Sequence, residues 1–333
     1  MKTNLKKKVV VTGCAGFIGS HLVDKLLLDK QIVTGIDNLN TGQKRFLENA
    51  FKNKKFKFVY GDLLNLNLLK KILKNIDLVY HLAANADVRS GFNHPKKDLE
   101  QNAICTFNLL EAMRHNSVKK IVFTSTAPIY GDVKLFPTPE NAPLPNQTSL
   151  YGASKLYCEG LIQSYCEGYN FQSWIFRFVS ILGPRYSHGH VFDFYKQLKV
   201  NKSKKLKIFG NGFQRKSYLH VKDCISAIII AINKSKKKIN IFNLGCNEFL
   251  NVRKSAKIIS KKLNLSPKFS FTGGKRGWIG DQPFVFLDTK KIRNLGWKNS
   301  INIENSIKMT VDWLNKNKWI FKKRRLKLPL DTN

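Results

Sequence analysis

Short apolar, β-branched runs recur along the first half of the chain, and longer segments with the periodicity of helices separate them. The runs cover residues 7–13, 32–37, 56–62, 76–83, 120–126 and 173–179. Their hydrophobicity is continuous rather than alternating, which is typical of strands buried on both faces of a sheet. Helical patterns such as SHLVDKLLLDK and QNAICTFNLLEAMRHN lie between them. This alternation predicts an α/β fold with a doubly wound parallel sheet and helices on both faces.

The pattern changes after about residue 180, where loops rich in glycine and aromatic residues take over. A helix-like segment, CISAIIIAINK, and a strand-like segment, INIFNLG at 239–245, follow these loops. We expect both segments to return to the first sheet, which makes the second domain discontinuous. The predicted organisation is a first domain of residues 1–179 plus about 221–246, a smaller second domain of about 180–220 and 247–320, and a basic tail at 321–333.

The composition is that of a globular protein: 43% of the 333 residues are hydrophobic. No apolar run reaches the roughly 18 residues that a membrane span needs, and the run near the N-terminus is too short for a secretory signal. The six cysteines form no C-x-x-C pair, so they predict neither a metal site nor a disulfide framework. We therefore expect a cytoplasmic, soluble protein with no membrane span and no metal.

The formal net charge of +36 would suit nucleic acid, an anionic membrane surface or acidic small ligands as a partner. Most of the positive charge is lysine spread through the chain, as an AT-rich coding sequence would produce. Only the tail, KNKWIFKKRRLKLPLDTN, is a concentrated basic segment with interleaved aromatic residues. No nucleic-acid-binding motif accompanies it, so we expect no specific nucleic-acid partner.

The segment TGCAGFIGS places Gly13, Gly16 and Gly19 between the first predicted strand and the first helix. Glycines permit a tight turn and a close approach of backbone amides to a pyrophosphate, whose charge the helix N-terminus favours. Asp37 ends the second strand, where a carboxylate binds adenosine ribose hydroxyls and repels a 2′-phosphate. The alternative is that Asp37 is a turn residue before Asn38. The pattern predicts a dinucleotide site that takes NAD rather than NADP.

A second candidate site lies in SLYGASKLYCEG, where Tyr151 and Lys155 stand four residues apart and share one face of a predicted helix. A tyrosine with a pKa near 10 is a poor base at neutral pH. A nearby ammonium and a nicotinamide cation would both favour the phenolate. The alternative is an exposed pair on a solvated helix, which the glycine loop makes the weaker interpretation.

Together these motifs resemble the extended short-chain dehydrogenase/reductase family, in particular its NAD-dependent nucleotide-sugar epimerases and dehydratases. The resemblance runs from the glycine loop through GDL, HLAA, KIVFTST and Y-x-x-x-K to the C-terminal motifs. It implies a Rossmann-type domain, NAD as cofactor, and a catalytic hydroxyl 25 residues before Tyr151, at Thr126. The implied cofactor-binding residues are Gly13, Gly16, Phe17, Ile18, Gly19, Asp37, Asn38, Asp62, Leu63, Leu82, Ala83, Ala84, Asn102, Thr124, Tyr151 and Lys155.

In this family the phenolate of the tyrosine takes the proton from a sugar hydroxyl while a hydride passes to the nicotinamide. Members differ in what happens to the resulting ketone, and the 4,6-dehydratases carry Asp-Glu after the catalytic threonine. Here those positions are Ala127 and Pro128, neither of which can transfer a proton. This disfavours elimination of water and leaves epimerisation at C4 through a transient 4-keto sugar, with NAD regenerated in each turnover.

The C-terminal motifs resemble the nucleotide-binding loops of epimerases, especially archaeal-type 4-epimerases. They are RFVSILGPR, HGHVFDF, GNGFQRKSYLHVKD and RGWIGD. Ser180 stands where the family usually has a substrate-binding asparagine, which leaves the sugar open. Arg276 would reach the diphosphate, since a guanidinium binds it bidentately. The implied substrate-binding residues are Thr126, Ser180, His190, Val191, Lys216, Tyr218 and Arg276.

The resulting hypothesis is NAD-dependent C4 epimerisation of a nucleoside-diphosphate sugar, with UDP-glucose/UDP-galactose or an N-acetylated or uronic variant as substrate. The resemblance also implies a homodimer through the helices near 98–115 and 151–169. One alternative is another epimerase or oxidoreductase of the same family. Another is a non-catalytic RNA- or nucleotide-binding relative, which the intact Thr126, Tyr151 and Lys155 disfavour.

Overall fold

The structure, a computed structural model, describes residues 6–89, 91–144 and 146–322. These residues form fourteen strands, numbered in chain order. Seven of them make one parallel sheet in the order β11-β6-β5-β4-β1-β2-β3. The strands are β1 (Lys8–Thr12), β2 (Ile32–Asp37), β3 (Phe56–Tyr60), β4 (Leu78–His81), β5 (Lys120–Thr126), β6 (Gln172–Phe178), β7 (Ser180–Leu182), β8 (Lys205–Ile208), β9 (Arg215–Lys216), β10 (Tyr218–His220), β11 (Ile239–Leu244), β12 (Leu250–Asn251), β13 (Lys268–Phe271) and β14 (Phe284–Val285).

Helices cover both faces of this sheet, so the predicted Rossmann-type doubly wound fold is confirmed. They are α1 (Phe17–Leu28), α2 (Glu48–Phe51), α3 (Leu66–Ile72), α4 (Pro95–Asp98), α5 (Cys105–His115), α6 (Leu150–Tyr169), α7 (His190–Tyr195), α8 (Val221–Lys234), α9 (Val252–Lys262), α10 (Lys290–Arg293) and α11 (Ile303–Lys316). Strand β1 shows why its apolar run is continuous: Val9 and Val11 belong to one apolar cluster and Val10 to the other.

The chain reverses its direction of winding between β1 and β4, which are neighbours although β2 and β3 come between them in sequence. In open α/β sheets, ligands bind outside the carboxyl ends of the strands at such a reversal point. The strand predicted at 239–245 is β11, and it pairs with β6 at the other edge of the sheet. The chain therefore does return to the first sheet after residue 220.

Three small sheets lie beyond the carboxyl edge: β7 with β10, β8 with β13, and β12 with β9 and β14. Their strands have two to four residues, and helices α7, α9 and α11 pack against one another beside them. These elements fall in the predicted second domain, whose exact bounds stay a prediction. The predicted basic tail lies outside the described residues from position 323 onward.

One departure from the predicted helices lies at Leu99–Ile104, where the pattern of 101–116 begins as a π-helical turn before α5. Such turns are common at functional sites. In the described ranges, no helix is long and apolar enough to cross a membrane, and no cluster of metal-ligating side chains occurs. All six cysteines are buried free thiols.

A buried ion pair joins α6 to the sheet. Arg177 of β6 lies 2.7 Å from the Glu159 carboxylate, and both side chains are almost completely buried. The same guanidinium donates to the Tyr130 hydroxyl at 2.8 Å and to the Glu140 carbonyl at 2.7 Å. Tyr130 in turn donates to Asn243 of β11. This network fixes α6 against β6 and β11 from below.

Candidate active site

A cavity of about 770 Å³ opens at the carboxyl ends of β1 to β6, between the large sheet and the small sheets. This is the position expected from the reversal of winding between β1 and β4. Most of the residues predicted from the sequence line this cavity. Those that do not are Lys155, Asn102, Val191 and Arg276.

The glycine loop sits at the start of α1 with no room for side chains. A Cβ on Gly13, whose φ is +68°, would lie 2.8 Å from the Ala83 nitrogen. A Cβ on Gly19 would lie 2.1 Å from the Gly13 oxygen. The backbone therefore forms a bare cradle at a helix N-terminus, which is the arrangement that accommodates a pyrophosphate.

Asp37 is held at the end of β2 by the backbone of the glycine loop. Its carboxylate accepts hydrogen bonds from the Ala15 nitrogen at 2.9 Å and the Leu39 nitrogen at 2.8 Å. Next to it, the Asn38 amide donates to Asp62 at 2.8 Å. A 2′-phosphate would meet the charge of the Asp37 carboxylate, so this end of the cavity fits NAD better than NADP.

A buried hydrogen-bond chain forms the floor of the cofactor end. The Thr12 hydroxyl accepts from the backbone nitrogens of Leu82 and Ala83, each at 3.1 Å, and lies 2.8 Å from His81 Nδ1. His81 Nε2 lies 2.9 Å from the hydroxyl of Thr106, which donates to a carbonyl. Thr106 therefore accepts from Nε2–H, and Thr12 donates to Nδ1. Burial lowers the pKa of His81 to about 3, so the ring is neutral, as this chain requires.

Helix α6 brings the predicted catalytic residues to the end of β5. It begins at Leu150, because the Ser149 hydroxyl accepts from the Gly152 nitrogen at 3.0 Å and caps the helix. Tyr151 lines the cavity, and its hydroxyl forms a hydrogen bond with the side chain of Thr126. Lys155 lies one turn further on, and its ammonium donates to the Thr124 carbonyl at 3.0 Å. Lys155 is buried, so the two do not form an exposed pair on a solvated helix.

The electrostatics of these groups oppose their charged forms. Burial raises the pKa of Tyr151 to about 12, and the hydrogen bond from Thr126 acts in the opposite direction. Burial also lowers the pKa of Lys155 to about 8. The protein alone therefore does not generate the phenolate at neutral pH, and Thr126 is the protein group that favours it most directly.

Three of the predicted residues outside the cavity lining have structural contacts. Asn102 donates to the Ser154 hydroxyl at 2.8 Å and accepts from the Asn85 nitrogen at 2.8 Å, which ties the loop after β4 to α6. Val191 is fully buried in α7. Arg276 contacts both carboxylate oxygens of Asp132, at 2.9 and 2.7 Å, rather than facing the cavity.

The cavity wall also carries an ion pair between Lys216 and the almost completely buried Asp281. The second carboxylate oxygen of Asp281 accepts from the Gly277 nitrogen at 2.9 Å. The Lys216 ammonium also lies 5.1 Å from the centre of the Trp278 ring. This arrangement holds one cation and one aromatic ring at the end where the nucleotide is predicted to bind.

Sequence reasoning missed several residues that line the cavity. They are Asn85, Asp87, Arg89, Tyr186, His188, Asp193, Gln214, Trp278, Asp281 and Gln282. Many of them lie inside or next to the motifs HLAA, HGHVFDF and RGWIGD. The available signal was the density of polar residues after each buried strand, where loops of parallel sheets gather at one edge.

Comparison with known proteins defines the family. A model of the NAD dependent epimerase/dehydratase family matches residues 9–245. The chain belongs to this family. A protein of Methanocaldococcus jannaschii, named provisionally as a UDP-glucose 4-epimerase, is 34% identical over 315 residues, 93% of this chain and 99% of that protein. The dTDP-D-glucose 4,6-dehydratase of Mus musculus is 30% identical over 321 residues, 93% of this chain and 89% of that protein.

A solved structure also aligns with this chain over most of its length. It is the UDP-glucuronic acid 4-epimerase of Bacillus cereus in complex with UDP-glucuronic acid and NAD. The TM-score is 0.85 at 28% identity, with 93% of this chain and 99% of that chain covered. NAD is the cofactor of the family, and the bare glycine cradle and Asp37 of this chain fit it.

Proposed function

We propose that the protein is an NAD-dependent epimerase that inverts C4 of a UDP-sugar. One observation carries the proposal: the Tyr151 hydroxyl meets Thr126 at a cavity wall whose next two residues, Ala127 and Pro128, have no proton to transfer. The residues needed to oxidise and reduce a sugar carbon are thus present. The acid and base that the dehydratases carry at those two positions are not.

The side chains of this chain have separate tasks in that reaction. Thr126 orients the sugar hydroxyl and hydrogen-bonds Tyr151, which removes the hydroxyl proton and later returns it. Lys155 anchors α6 to β5 through Thr124 and places its ammonium beneath the site. The glycine cradle and Asp37 would hold NAD, which would supply a reversible hydride acceptor for C4 of the sugar.

The same reasoning weighs against a 4,6-dehydratase, although some relatives have that activity. Ala127 and Pro128 lie in a short 3₁₀ turn, Ala127–Tyr130, directly after the strand that ends in Thr126. Elimination needs a general acid and a general base beside C5 and C6. An alanine and a proline supply neither, so the ketone formed at C4 is expected only to be reduced again.

We also propose that the protein is a cytoplasmic homodimer. Large apolar side chains stay exposed on the elements that the family resemblance assigns to the interface, namely Leu99, Ile104, Phe107 and Tyr157. Six buried free thiols suit a reducing compartment. Light scattering should give twice the mass of the chain, and Phe107→Asp should shift it toward the monomer.

The decisive experiment incubates the purified protein with UDP-, GDP-, CDP- and dTDP-sugars and identifies the products by NMR. We expect two C4 epimers of a UDP-sugar to interconvert without added NAD. Formation of a 4-keto-6-deoxy sugar would sink the proposal. Tyr151→Phe should keep bound cofactor and lose turnover by about 10²-fold or more, the range of general acid–base catalysis.

A further inference from the structure

We infer that the sugar this site accepts is a neutral hexose, with or without an N-acetyl group, and not a uronic acid. The inference rests on the proposed function. It comes from an ion-paired group on the cavity wall, termed here the Arg89 cluster: Arg89, Asp87, Asp193 and His188.

The position of the Arg89 cluster follows from the order of the strands. Arg89 lies in the loop after β4, whereas Asp193 lies in α7, which follows β6 and β7 along the chain. Strands β4 and β6 flank β5 on either side. The bond between Arg89 and Asp193 therefore joins segments that follow strands on either side of β5, and both residues line the same cavity as Thr126 and Tyr151. The sugar must lie there for Tyr151 to reach its hydroxyl.

The charges in the Arg89 cluster do not balance in favour of an anion. An Arg89 nitrogen donates to Asp193 at 2.8 Å, and Arg89 Nε lies 4.0 Å from Asp87. One guanidinium thus faces two carboxylates, which leaves a net negative charge. Burial lowers the pKa of His188, so its ring adds no positive charge at neutral pH.

The hydrogen-bonding capacity of the Arg89 cluster points the same way. Carboxylates accept hydrogen bonds from hydroxyl and amide N–H groups, which glucose, galactose and their N-acetyl forms present. A uronic acid replaces the C6 hydroxyl by a carboxylate, which cannot donate at neutral pH and repels Asp87 and Asp193. Lys97 and Lys207 also line the cavity, but both side chains are exposed to solvent, which screens their charges.

The test compares kcat/KM for UDP-glucose, UDP-N-acetylglucosamine and UDP-glucuronate. We expect the neutral sugars to be preferred by at least about 10-fold, since like charges in contact cost more than the 1.4 kcal/mol that this ratio represents. Asp193→Asn keeps the size and an acceptor but removes one charge. The Asp193→Asn variant should reduce the preference for neutral sugars several-fold, because its kcat/KM for UDP-glucuronate should rise. A merely structural role would lower the values for all three sugars together.

Asp312→Asn is the matched control. Asp312 pairs with Lys262 at 2.8 Å with similar exposure, and neither residue lines the cavity. This variant should keep the wild-type preference. A wild type that epimerises UDP-glucuronate as efficiently as UDP-glucose would overturn the inference and leave the proposed function intact.

If no UDP-sugar is epimerised, the proposed function fails, and calorimetry still tests the charge preference. Tighter binding of UDP-glucose than of UDP-glucuronate, narrowed in Asp193→Asn, would support it. Equal or reversed affinities would contradict it.

Discussion

The ammonium of Lys155 donates a hydrogen bond to the main-chain oxygen of Thr124, 3.0 Å away, inside the protein. This bond joins the helix that carries Tyr151 to the strand that carries Thr126. Burial lowers the pKa of Lys155 to about 8, so the joint is strongest where the amine is still protonated. We therefore expect the catalytic rate to depend on pH through the protonation of Lys155.

Lys155→Met tests that link, because it keeps the length of the side chain and removes the charge and the donor. We expect turnover to fall by about 100-fold or more, as for loss of an acid–base component. We expect the variant to fold. The substitution removes the cost of burying the ammonium, about 3 kcal/mol, and this offsets the about 1–3 kcal/mol that the unsatisfied Thr124 carbonyl then costs.

The pH dependence of stability distinguishes the variant further. Burial lowers the pKa of Lys155 to about 8 in the folded protein, whereas the ordinary pKa of lysine is 10.5, so the unfolded chain binds more protons between these two pH values. The free energy of unfolding of the wild type should therefore rise from pH 8 to 10.5 relative to Lys155→Met, by up to about 3 kcal/mol. If urea denaturation gave the same difference in free energy of unfolding between the two proteins at every pH from 8 to 10.5, the result would contradict the burial of a protonatable amine.

Thr126→Val removes the hydroxyl that hydrogen-bonds Tyr151 while keeping its shape. That bond lowers the pKa of Tyr151, which burial raises to about 12, so its loss leaves less phenolate at every working pH. We expect kcat to fall by about 100-fold and the acid limb of the pH–rate profile to move to higher pH. Thr126→Ser should recover most of the rate. An unmoved profile in the valine variant would exclude Thr126 as the partner of Tyr151.

Arg276 was predicted to bind the diphosphate, and in the structure Asp132 occupies its guanidinium. This pair is exposed, so it is worth only about 0–1 kcal/mol and a diphosphate could displace it. We expect Asp132→Asn to lower KM for the UDP-sugar several-fold and Arg276→Gln to raise it. If Asp132→Asn raises KM instead, the pair shapes the site rather than competing for the ligand.

Acid should unfold the protein through its buried histidines. Burial lowers the pKa of His81 and of His190 to about 3, whereas the ordinary pKa of histidine is 6.5. The unfolded chain therefore binds protons first as the pH falls below 6.5, and each histidine removes up to about 1.4 kcal/mol of stability per pH unit. His190→Gln should flatten this slope in denaturation series from pH 7 to 5. His115→Gln, at an exposed position, is the control.

The buried pair of Glu159 and Arg177 should matter far more than surface pairs. Glu159→Gln leaves a buried guanidinium without its counter-ion, so we expect a loss of about 3–5 kcal/mol in the free energy of unfolding. Glu167 lies on the same helix as Glu159 and forms an exposed pair with Lys238. Glu167→Gln should lower the free energy of unfolding by less than about 1 kcal/mol. Equal losses in urea titrations of the two variants would show that burial of the first pair has no energetic weight.

The sequence predicted the large sheet because its central strands, such as β1, β4 and β5, contain continuous apolar runs, which are typical of buried parallel strands. The glycine loop and the Tyr151–Lys155 spacing were also readable, since both are local. The short strands β9 and β10 were not, because two or three residues carry no periodicity and pair only where tertiary contacts hold them.

Contacts between distant loops were equally hidden. Arg89 and Asp193 are 104 positions apart, and Arg276 and Asp132 are 144 apart. Only the folded chain shows which carboxylate each arginine meets. The sequence therefore predicted the motifs at the ends of the strands better than the contacts among the surrounding loops, because those contacts join segments that are far apart in the chain.

Tyr151, Lys155 and Glu159 stand at four-residue intervals along one face of α6, and depth increases along that series from cavity to core. A helix rises about 1.5 Å per residue, so Tyr151 and Glu159 are about 12 Å apart along the axis of α6. A change in the tilt of α6 at Glu159, near the middle of the helix, would therefore move the phenol of Tyr151 at its start. The buried ion pair of Glu159 and Arg177, which lies outside the cavity lining, thus contributes to the orientation of the Tyr151 hydroxyl.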